Sequence, residues 1–200
     1  MKRIAILASG TGSNARKIIE HLQDNEQIEV ALVVSNRKSA KVLDMAANHG
    51  ITNRVITRSD FYESDAFLTE LNEAEIDWII LAGFLWLVPT NLISTYSNRI
   101  VNIHPALLPA YGGKGMYGMN VHKAVKENSE IISGMTIHLV NENYDEGAII
   151  FQGRTDIEPR DTAEDIAAKV LKLEHDYYPK VVEGLVMAQA SVCISANTSS

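Results

Sequence analysis

An asparagine and a histidine, Asn102 and His104, stand two residues apart at the end of an apolar stretch and directly before Pro105. Residues two apart on a β-strand point to the same side of the sheet, and a proline cannot continue the ladder of hydrogen bonds. An amide and an imidazole therefore converge where a strand leaves the sheet, which is where open α/β sheets bind their ligands. Such a pair could stabilise a developing oxyanion; a surface turn without chemistry is the alternative.

A carboxylate partner for this pair is available in the acidic turn Asn141–Gly147, where Asp145 is the best candidate. A carboxylate beside His104 favours the imidazolium form and raises the pKa of the ring. We therefore expect Asp145 to keep His104 charged at neutral pH. His138 shares one face of a predicted strand with Thr136, and both a structural role and a role in the site remain open for it.

The residue spacing indicates neither a metal site nor a covalent nucleophile. His104, His138 and Asp145 could in principle bind a metal ion, but the sequence contains no HExxH or comparable ligand spacing. A Ser or Cys nucleophile elbow is also lacking, so covalent acyl catalysis is not expected.

A glycine-containing turn at residues 10–14 is a second candidate site, because it lies between a predicted strand and a predicted helix. Its backbone N–H groups stand at the positive end of the helix dipole and could bind a phosphate. Ser13 or Asn14 can cap the helix. The turn also resembles the dinucleotide fingerprint, but the second strand ends without the carboxylate that this fingerprint requires and is followed by Arg37. A site for a phosphorylated dinucleotide and a purely structural turn remain alternatives.

The elements that must position these residues alternate along the first half of the chain. Amphipathic helices separate apolar runs that are typical of buried strands, at residues 3–8, 28–34, 78–81 and 99–103, with a weaker run at 54–56. A predicted hairpin (131–140 and 148–155) and a long helix from Asp161 or Thr162 to about Gly184 follow. This order predicts an α/β fold, a doubly wound, mostly parallel Rossmann-like sheet with an antiparallel C-terminal extension.

Composition limits the function classes. We expect one domain over residues 1–200, with a small, polar tail that frays from about residue 186. The net charge of -7 argues against a nucleic-acid surface. The single cysteine, Cys193, provides neither a disulfide framework nor a Cys zinc site and suits a reducing cytoplasm. The apolar run Ile4–Ala8 is too short for a signal peptide, and no run approaches membrane-spanning length.

Several motifs together resemble those of the folate-dependent formyltransferase family. They are Ala8–Asn14, Leu81–Phe84, Val101–Pro109, Gly134–His138, Asp145–Gly147, Glu174-His175 and Tyr178-Pro179. The resemblance runs from about Lys2 to Gly184, and the N-I-H-P-x-L-L-P string is specific to formyltransferases. The S-G-x-G-S-N turn is similar to that of the branch that acts on glycinamide ribonucleotide.

The resemblance implies an activity and a set of site residues. The activity is direct transfer of a formyl group from 10-formyltetrahydrofolate, a co-substrate, to the amine of glycinamide ribonucleotide in purine (IMP) biosynthesis. Another folate-dependent N-formyltransferase or a formyltetrahydrofolate hydrolase is the alternative. The implied catalytic residues are Asn102, His104 and Asp145. The implied substrate-binding residues are Gly12, Ser13 and Asn14 for the phosphate and Glu174 for the ribose. The implied folate-binding residues are Leu85, Trp86, Leu87, Val88, Asn102, Asn141 and Tyr144.

The resemblance also implies small-molecule partners alone, with no metal, nucleic acid or membrane, and a monomer or weak homodimer. It implies a cis peptide bond between Leu108 and Pro109.

The chain departs from the family at three places. The loop Tyr111–Gly118 is several residues longer than usual, Ser64 stands where some members have a cofactor-binding arginine, and Trp86 replaces another arginine beside the folate. Arg58 is the candidate substitute for the missing cation.

Overall fold

A seven-stranded mixed sheet runs through the protein, and helices cover both of its faces. A computed structural model of the chain describes residues 1–196, with side chains as far as residue 188. The strands are β1 (Lys2–Leu7), β2 (Ile28–Ser35), β3 (Thr52–Val55), β4 (Trp78–Leu81), β5 (Ile100–His104), β6 (Ile132–Leu139) and β7 (Ile149–Asp156). The helices are α1 (Ser13–Leu22), α2 (Lys41–Asn48), α3 (Ala66–Glu73), α4 (Thr90–Thr95), α5 (Met119–Glu127) and α6 (Ala163–Ala196).

The strand order in the sheet is β3-β2-β1-β4-β5-β6-β7. The first five strands pair in parallel, whereas β5–β6 and β6–β7 are antiparallel. The predicted doubly wound sheet with an antiparallel extension is therefore confirmed. Because the chain winds outward in opposite directions from β1 and β4, a crevice forms beyond the carboxyl ends of these two neighbours.

Alternation along β1 shows why its sequence is apolar throughout. Ile4 and Ile6 pack on the face covered by α1, α2 and α6, whereas Ala5 and Leu7 pack on the face that carries α3 and α4. All four side chains are completely buried. A strand buried on both faces has no polar side to show, which produces a continuous apolar run rather than an alternating one.

Helix α6 is longer than the sequence pattern indicates. It begins after Thr162. The Thr162 Oγ1 atom accepts from the Asp165 N–H at 3.1 Å, and the Thr162 N–H donates to the Asp165 carboxylate at 2.9 Å. These two reciprocal bonds form a capping box, which confirms Thr162 as the predicted cap. The helix continues to Ala196 rather than ending near Gly184, and no proline interrupts the added stretch. Residues 197–200 of the expected frayed tail lie outside the described residues. No helix in the described part of the chain is long and apolar enough to cross a membrane.

One short element has no counterpart in the sequence expectations. A single π-helical turn, Ser59–Glu63, precedes α3 and buries Phe61 between the sheet and the loop after β4. The ring of Phe61 lies 5.5 Å from that of Phe84 and 5.6 Å from that of Trp86, measured between centroids. The turn therefore supports one wall of the crevice.

Candidate active site

A cleft of about 590 Å³ opens at the carboxyl edge of the sheet. Ten of the thirteen catalytic, substrate-binding and folate-binding residues that the resemblance implied line it: Asn14, Leu85, Trp86, Leu87, Val88, Asn102, His104, Tyr144, Asp145 and Glu174. His138 lines it as well. Gly12, Ser13 and Asn141 are not among its lining residues. Within the described part of the chain, no lysine or arginine lines the cleft.

The β5–β6 pairing determines which groups face each other at the strand exit. Asn102 lies opposite His138, and His104 lies opposite Thr136. The Asn102 Nδ2 atom is 3.1 Å from His138 Nε2, and His138 Nδ1 donates to the Leu139 carbonyl at 2.8 Å. In the neutral ring this leaves Nε2 as the acceptor for one Asn102 N–H. The second N–H of the amide stays available to the cleft, and His138 contacts the site rather than being only a core residue.

His104 is almost fully buried, with 4% of its surface exposed. Its Nε2 donates to the Tyr111 carbonyl at 2.8 Å, because a carbonyl can only accept. Its Nδ1 lies 3.5 Å from an Asp145 carboxylate oxygen. The ring is therefore fixed by the backbone on one side and presents Nδ1 to the carboxylate and the cleft on the other.

Asp145 is the residue on which three contacts converge. One carboxylate oxygen faces His104, the other is 3.6 Å from His138 Nε2, and the Gly113 N–H donates to the carboxylate at 2.9 Å. Asp145 adopts a left-handed backbone conformation (φ 59°), which turns its side chain back over the end of the sheet. Burial alone would raise the pKa of this carboxyl, but the two histidines and the Gly113 N–H outweigh it and lower the pKa below its usual value.

The expected charge of His104 needs a correction. Burial lowers the pKa of His104 below 6.5, and the opposing effects of Asp145 and the Tyr111 carbonyl do not compensate. The prediction that Asp145 keeps this ring charged at neutral pH is therefore wrong for the unliganded protein. The carboxylate acts in the expected direction, but at 3.5 Å its attraction is weaker than the cost of desolvating an imidazolium.

A buried hydroxyl holds the loop that follows His104. Thr136 Oγ1 donates to the Ala106 carbonyl at 2.6 Å and accepts from the Leu108 N–H at 3.0 Å. Gln152 Nε2 donates to the Leu108 carbonyl at 3.0 Å and also approaches the Thr136 hydroxyl. The Leu108–Pro109 peptide bond is cis, as the resemblance implied.

The glycine turn forms the second part of the site. Gly12 caps α1 with φ 74°, and a Cβ atom there would approach Val42 to 2.5 Å, so only glycine fits. Neither Ser13 nor Asn14 caps the helix, contrary to the prediction, because no side-chain bond closes its first turn. Asn14 Nδ2 instead donates to Glu174 on α6 at 2.7 Å.

The pair formed by Asn14 and Glu174 is buried and incompletely bonded. Glu174 is 7% exposed, and burial raises the pKa of its carboxyl while the Asn14 bond opposes that rise. The Oδ1 atom of Asn14 is buried without a partner among the described residues. A buried acceptor without a donor costs free energy, so this pair is suited to a ligand that brings hydroxyl groups.

The segment Leu85–Val88 forms an apolar wall of the cleft with Trp86 at its mouth. Ser9, which lies in the turn after β1, accepts from the Leu85 N–H at 3.0 Å and fixes this wall to the glycine turn. The Arg58 guanidinium lies 5.4 Å from the centroid of a Trp86 ring and 5.7 Å from that of Tyr62. A cation is thus present beside the tryptophan that replaces the family arginine.

Asn141, an implied folate-binding residue, has a different position. Its Oδ1 accepts from the Asn143 N–H at 3.0 Å, so the side chain shapes the turn that carries Asp145. Gly147 ends this turn, and a Cβ atom there would collide with the Leu139 carbonyl. A role of the Asn141 side chain in binding folate remains a prediction.

Sequence reasoning singled out the loop Tyr111–Gly118 only for its length, and it missed the part of the cleft that comes from α5 and α6. Met116 and Tyr117 of that loop line the cleft, and the missed part comprises Met119, His122, Ala167 and Leu171. No local pattern marks these residues, since only the packing of α5 against α6 brings them to the cleft. His104, His138 and Asp145 do meet, but among the side chains that the structure describes, as far as residue 188, no group of three His, Cys, Asp or Glu is placed to hold a metal ion.

Residues 2–182 match the sequence profile of the formyl transferase family. The chain is 42% identical over 187 residues to a protein of Arabidopsis thaliana named phosphoribosylglycinamide formyltransferase, chloroplastic. That alignment covers 90% of this chain and 64% of the plant protein, so the chain spans less than two thirds of that relative.

A bacterial relative and a solved structure match over nearly their whole lengths. The phosphoribosylglycinamide formyltransferase of Bacillus subtilis is 35% identical, with 93% of this chain and 95% of the relative aligned. The crystal structure of glycinamide ribonucleotide transformylase 1 from Symbiobacterium toebii superposes with a TM-score of 0.85 at 31% identity. This superposition covers 94% of this chain and 89% of the other.

Proposed function

The chain belongs to the formyl transferase family, and from that premise we propose that it transfers the formyl group of 10-formyltetrahydrofolate to the amine of glycinamide ribonucleotide. One observation carries the proposal: Asn102, His104 and Asp145 converge in a cleft between the glycine turn (residues 10–14) and the apolar wall (Leu85–Val88). The names of the relatives support the acceptor. A dinucleotide site has no such support, because the second strand ends without a carboxylate for ribose.

The acceptor fits the end of the cleft beside α1. The N–H groups of the turn at Gly12 and the positive end of the helix would bind its phosphate. Asn14 Oδ1, buried without a partner among the described residues, and the Glu174 carboxyl would accept hydrogen bonds from the ribose hydroxyls. This arrangement leaves the amine pointing along the cleft toward His104.

The formyl donor fits the opposite end. The apolar segment Leu85–Val88 offers a flat wall to a fused aromatic ring, and Tyr144 also lines the cleft. Arg58, held over the ring of Trp86, supplies the cation for the carboxylates of the donor's tail. In this arrangement the donor's formyl carbon would lie between Asn102 and the incoming amine.

The chemistry follows from these positions as direct attack. The free amine attacks the formyl carbon, and the oxygen of the tetrahedral intermediate becomes an oxyanion. The spare N–H of Asn102 and the Nδ1 atom of His104 donate to that oxygen. The neutral ring of the unliganded cleft carries its one proton on Nε2, so Nδ1 takes a proton from water as the developing oxyanion raises the pKa of His104, and Asp145 stabilises the imidazolium so formed. The intermediate then collapses: the bond between the formyl carbon and the folate nitrogen breaks while a proton moves from the amine nitrogen to the folate nitrogen, through water ordered by Asp145. His104 Nδ1 returns its proton to solvent as the carbonyl forms again.

A formyl-transfer assay with 10-formyltetrahydrofolate, with and without glycinamide ribonucleotide, tests the proposal. We expect loss of the formyl group only when the acceptor is present. Removing one oxyanion donor costs about 3 kcal/mol of transition-state stabilisation, so His104→Ala should lower turnover by more than about a hundredfold while acceptor binding persists. Loss without acceptor would indicate a hydrolase, and transfer to a different amine would indicate another N-formyltransferase.

We further propose that the chain acts as a single domain in the cytoplasm, as a monomer or weak homodimer, on small molecules alone and without a metal. The net charge of -7 supports the absence of a nucleic-acid partner. Sedimentation analysis across protein concentrations tests the oligomeric state. Activity that survives treatment with a chelator tests the absence of a metal.

A further inference from the structure

Gln152, on β7 at one edge of the sheet, is a polar residue that the mechanism above leaves unused. It lies directly opposite Thr136 on β6, which in turn lies directly opposite His104 on β5. Opposite residues on neighbouring strands point to the same face of a sheet, so the three side chains form one row across three strands. Gln152 does not line the cleft. Any effect that it has on the reaction must therefore pass through other groups of the protein.

The hydrogen bonds around Thr136 determine what the Gln152 amide does. Thr136 Oγ1 has one proton, which it donates to the Ala106 carbonyl, and it accepts from the Leu108 N–H and from Gln152 Nε2. Gln152 Nε2 also donates to the Leu108 carbonyl, so both of its N–H groups are used. These four bonds are 2.6–3.0 Å long. The amide therefore completes a network in which a donor, rather than an acceptor or an apolar group, is required.

This network holds the loop Pro105–Tyr111, which begins after His104 and ends at the residue that fixes the imidazole. Gln152 anchors the loop near its middle, and the Ala110 N–H closes it by donating to the Leu107 carbonyl at 3.2 Å. At its end, the Tyr111 carbonyl accepts from His104 Nε2 at 2.8 Å. Tyr111 has a left-handed backbone (φ 57°), which is uncommon for a residue other than glycine. The direction of its carbonyl thus depends on how the loop is held.

We propose that Gln152 is a positioning residue for the transfer reaction: by holding the loop Pro105–Tyr111, it keeps the His104 imidazole aligned for the oxyanion. The inference rests on the function proposed above. A displacement of about 1 Å at a reacting group can lower a rate by about a hundredfold. Because Gln152 does not line the cleft, its loss should lower kcat and leave the binding of both substrates unchanged.

The first test is steady-state kinetics of Gln152→Met, a change that keeps the length of the side chain and removes both donors. We expect kcat to fall by about tenfold to a hundredfold, with KM for acceptor and formyl donor within about twofold of the wild type. Gln152→Glu should show a similar loss at pH 8, since a carboxylate offers only acceptors to the Leu108 carbonyl. Arg154→Gln alters an exposed residue on the same face of β7 and should match the wild type.

A double-mutant cycle separates positioning from a general loss of structure. In the His104→Ala background there is no imidazole to align, so adding Gln152→Met should not lower kcat further. Losses that multiply would overturn the inference, because they would show that Gln152 acts independently of His104. An unchanged kcat in both Gln152 variants, or a loss of kcat/KM that lies in KM alone, would overturn it as well.

NMR titration of His104 in the unliganded protein provides a readout that does not depend on activity. Burial lowers the pKa of His104 below 6.5, and the bond to the Tyr111 carbonyl opposes that fall. Weakening this bond in Gln152→Met should therefore lower the pKa of His104 further. The titratable groups that interact with the ring are Asp145, His138 and His122.

None of these three groups is a hydrogen-bond partner of Gln152 in the described part of the chain. A lower His104 pKa in the variant therefore reports on the loop, and an unchanged His104 titration would overturn the inference. If the wild type shows no acceptor-dependent transfer, the proposed function fails instead, whatever the titration shows.

Discussion

Each of the three side chains that we propose to be catalytic is fixed by a group from a different part of the chain. Asn102 is bonded to His138 on the next strand, His104 to the Tyr111 carbonyl, and Asp145 to the Gly113 N–H. These bonds leave one donor of Asn102 and one nitrogen of His104 directed to the same space. The site is thus pre-arranged for charge that appears only during the reaction.

Replacing Asp145 with Asn should affect both turnover and the titration of His104. The carboxylate raises the pKa of His104 against the larger effect of burial, so Asp145→Asn should move this pKa still lower. NMR titration of the unliganded protein would show it, with the wild-type ring already titrating below 6.5. Turnover should fall by at least about a hundredfold, because the imidazolium loses its counter-charge. An unchanged or higher His104 pKa would contradict the assigned contact.

Arg58→Gln should weaken binding of the formyl donor without changing the chemical step. An exposed cation at a site of this kind contributes up to about 1 kcal/mol, so KM for the donor should rise by about fivefold while kcat is retained. A donor that lacks the glutamate tail should bind both proteins equally. Arg160→Gln serves as the control, because Arg160 is also exposed but is paired with Glu158 and does not line the cleft. Equal weakening of the tail-less donor would show that Arg58 does not bind the tail.

At the scale of elements, the loops after β1 and β4 behave as one unit. Ser9 is buried, its N–H donates to the Gly83 carbonyl at 3.0 Å, and its hydroxyl accepts from the Leu85 N–H. The glycine turn and the apolar wall, which we propose to bind different substrates, are therefore tied together at the crevice between neighbouring strands.

Ser9→Ala should raise KM for both substrates together. Removing the hydroxyl leaves the Leu85 N–H without its acceptor, at a cost of about 1–3 kcal/mol, and frees the wall from the turn. Steady-state kinetics with each substrate varied in turn would measure the two values, and kcat should change little. Ser39→Ala, an exposed serine without a capping bond, should leave both unchanged. A change confined to one substrate would show that the loops move independently.

The sequence predicted the strands and helices better than the connecting segments and the electrostatics of the site. Strands buried on both faces produce apolar runs that can be read directly, and β4 occurs at its predicted residues. The π-helical turn at Ser59–Glu63 has no such pattern. The neutral state of His104 depends on burial, and the place of His122 depends on the packing of α5 against α6. Neither can be read from spacing.

At the scale of the whole molecule, α6 packs across strands β4 and β5 and also contributes a side chain to the cleft. Tyr178 is fully buried, and its hydroxyl donates to the Leu81 carbonyl at the end of β4 at 2.8 Å. One turn earlier, Glu174 enters the cleft and meets Asn14 from α1. By packing across the central strands, the helix thus fixes the position of the Glu174 carboxyl, which we propose to bind the acceptor.

This carboxyl should reduce the stability of the fold at neutral pH. Because burial raises its pKa above the unfolded value near 4.5, the stability it contributes is fully present below that value and is lost as the pH rises through the folded one. Glu174→Gln should therefore melt higher than the wild type at pH 8, with the difference vanishing near pH 4. KM for the acceptor should rise about tenfold. Asp176→Asn, an exposed neighbour on the same helix, should alter neither, and a destabilised Glu174→Gln would contradict the argument.

The lack of lysine and arginine on the described walls of the cleft also governs how its ligands arrive. A protein with a net charge of -7 repels a phosphorylated acceptor and a carboxylated donor at long range. Added salt screens that repulsion over about 10 Å at 0.1 M. The stopped-flow association rates of both ligands should therefore increase as salt is raised from about 10 mM to about 200 mM. An enzyme that attracts its substrates by charge shows the opposite dependence on salt.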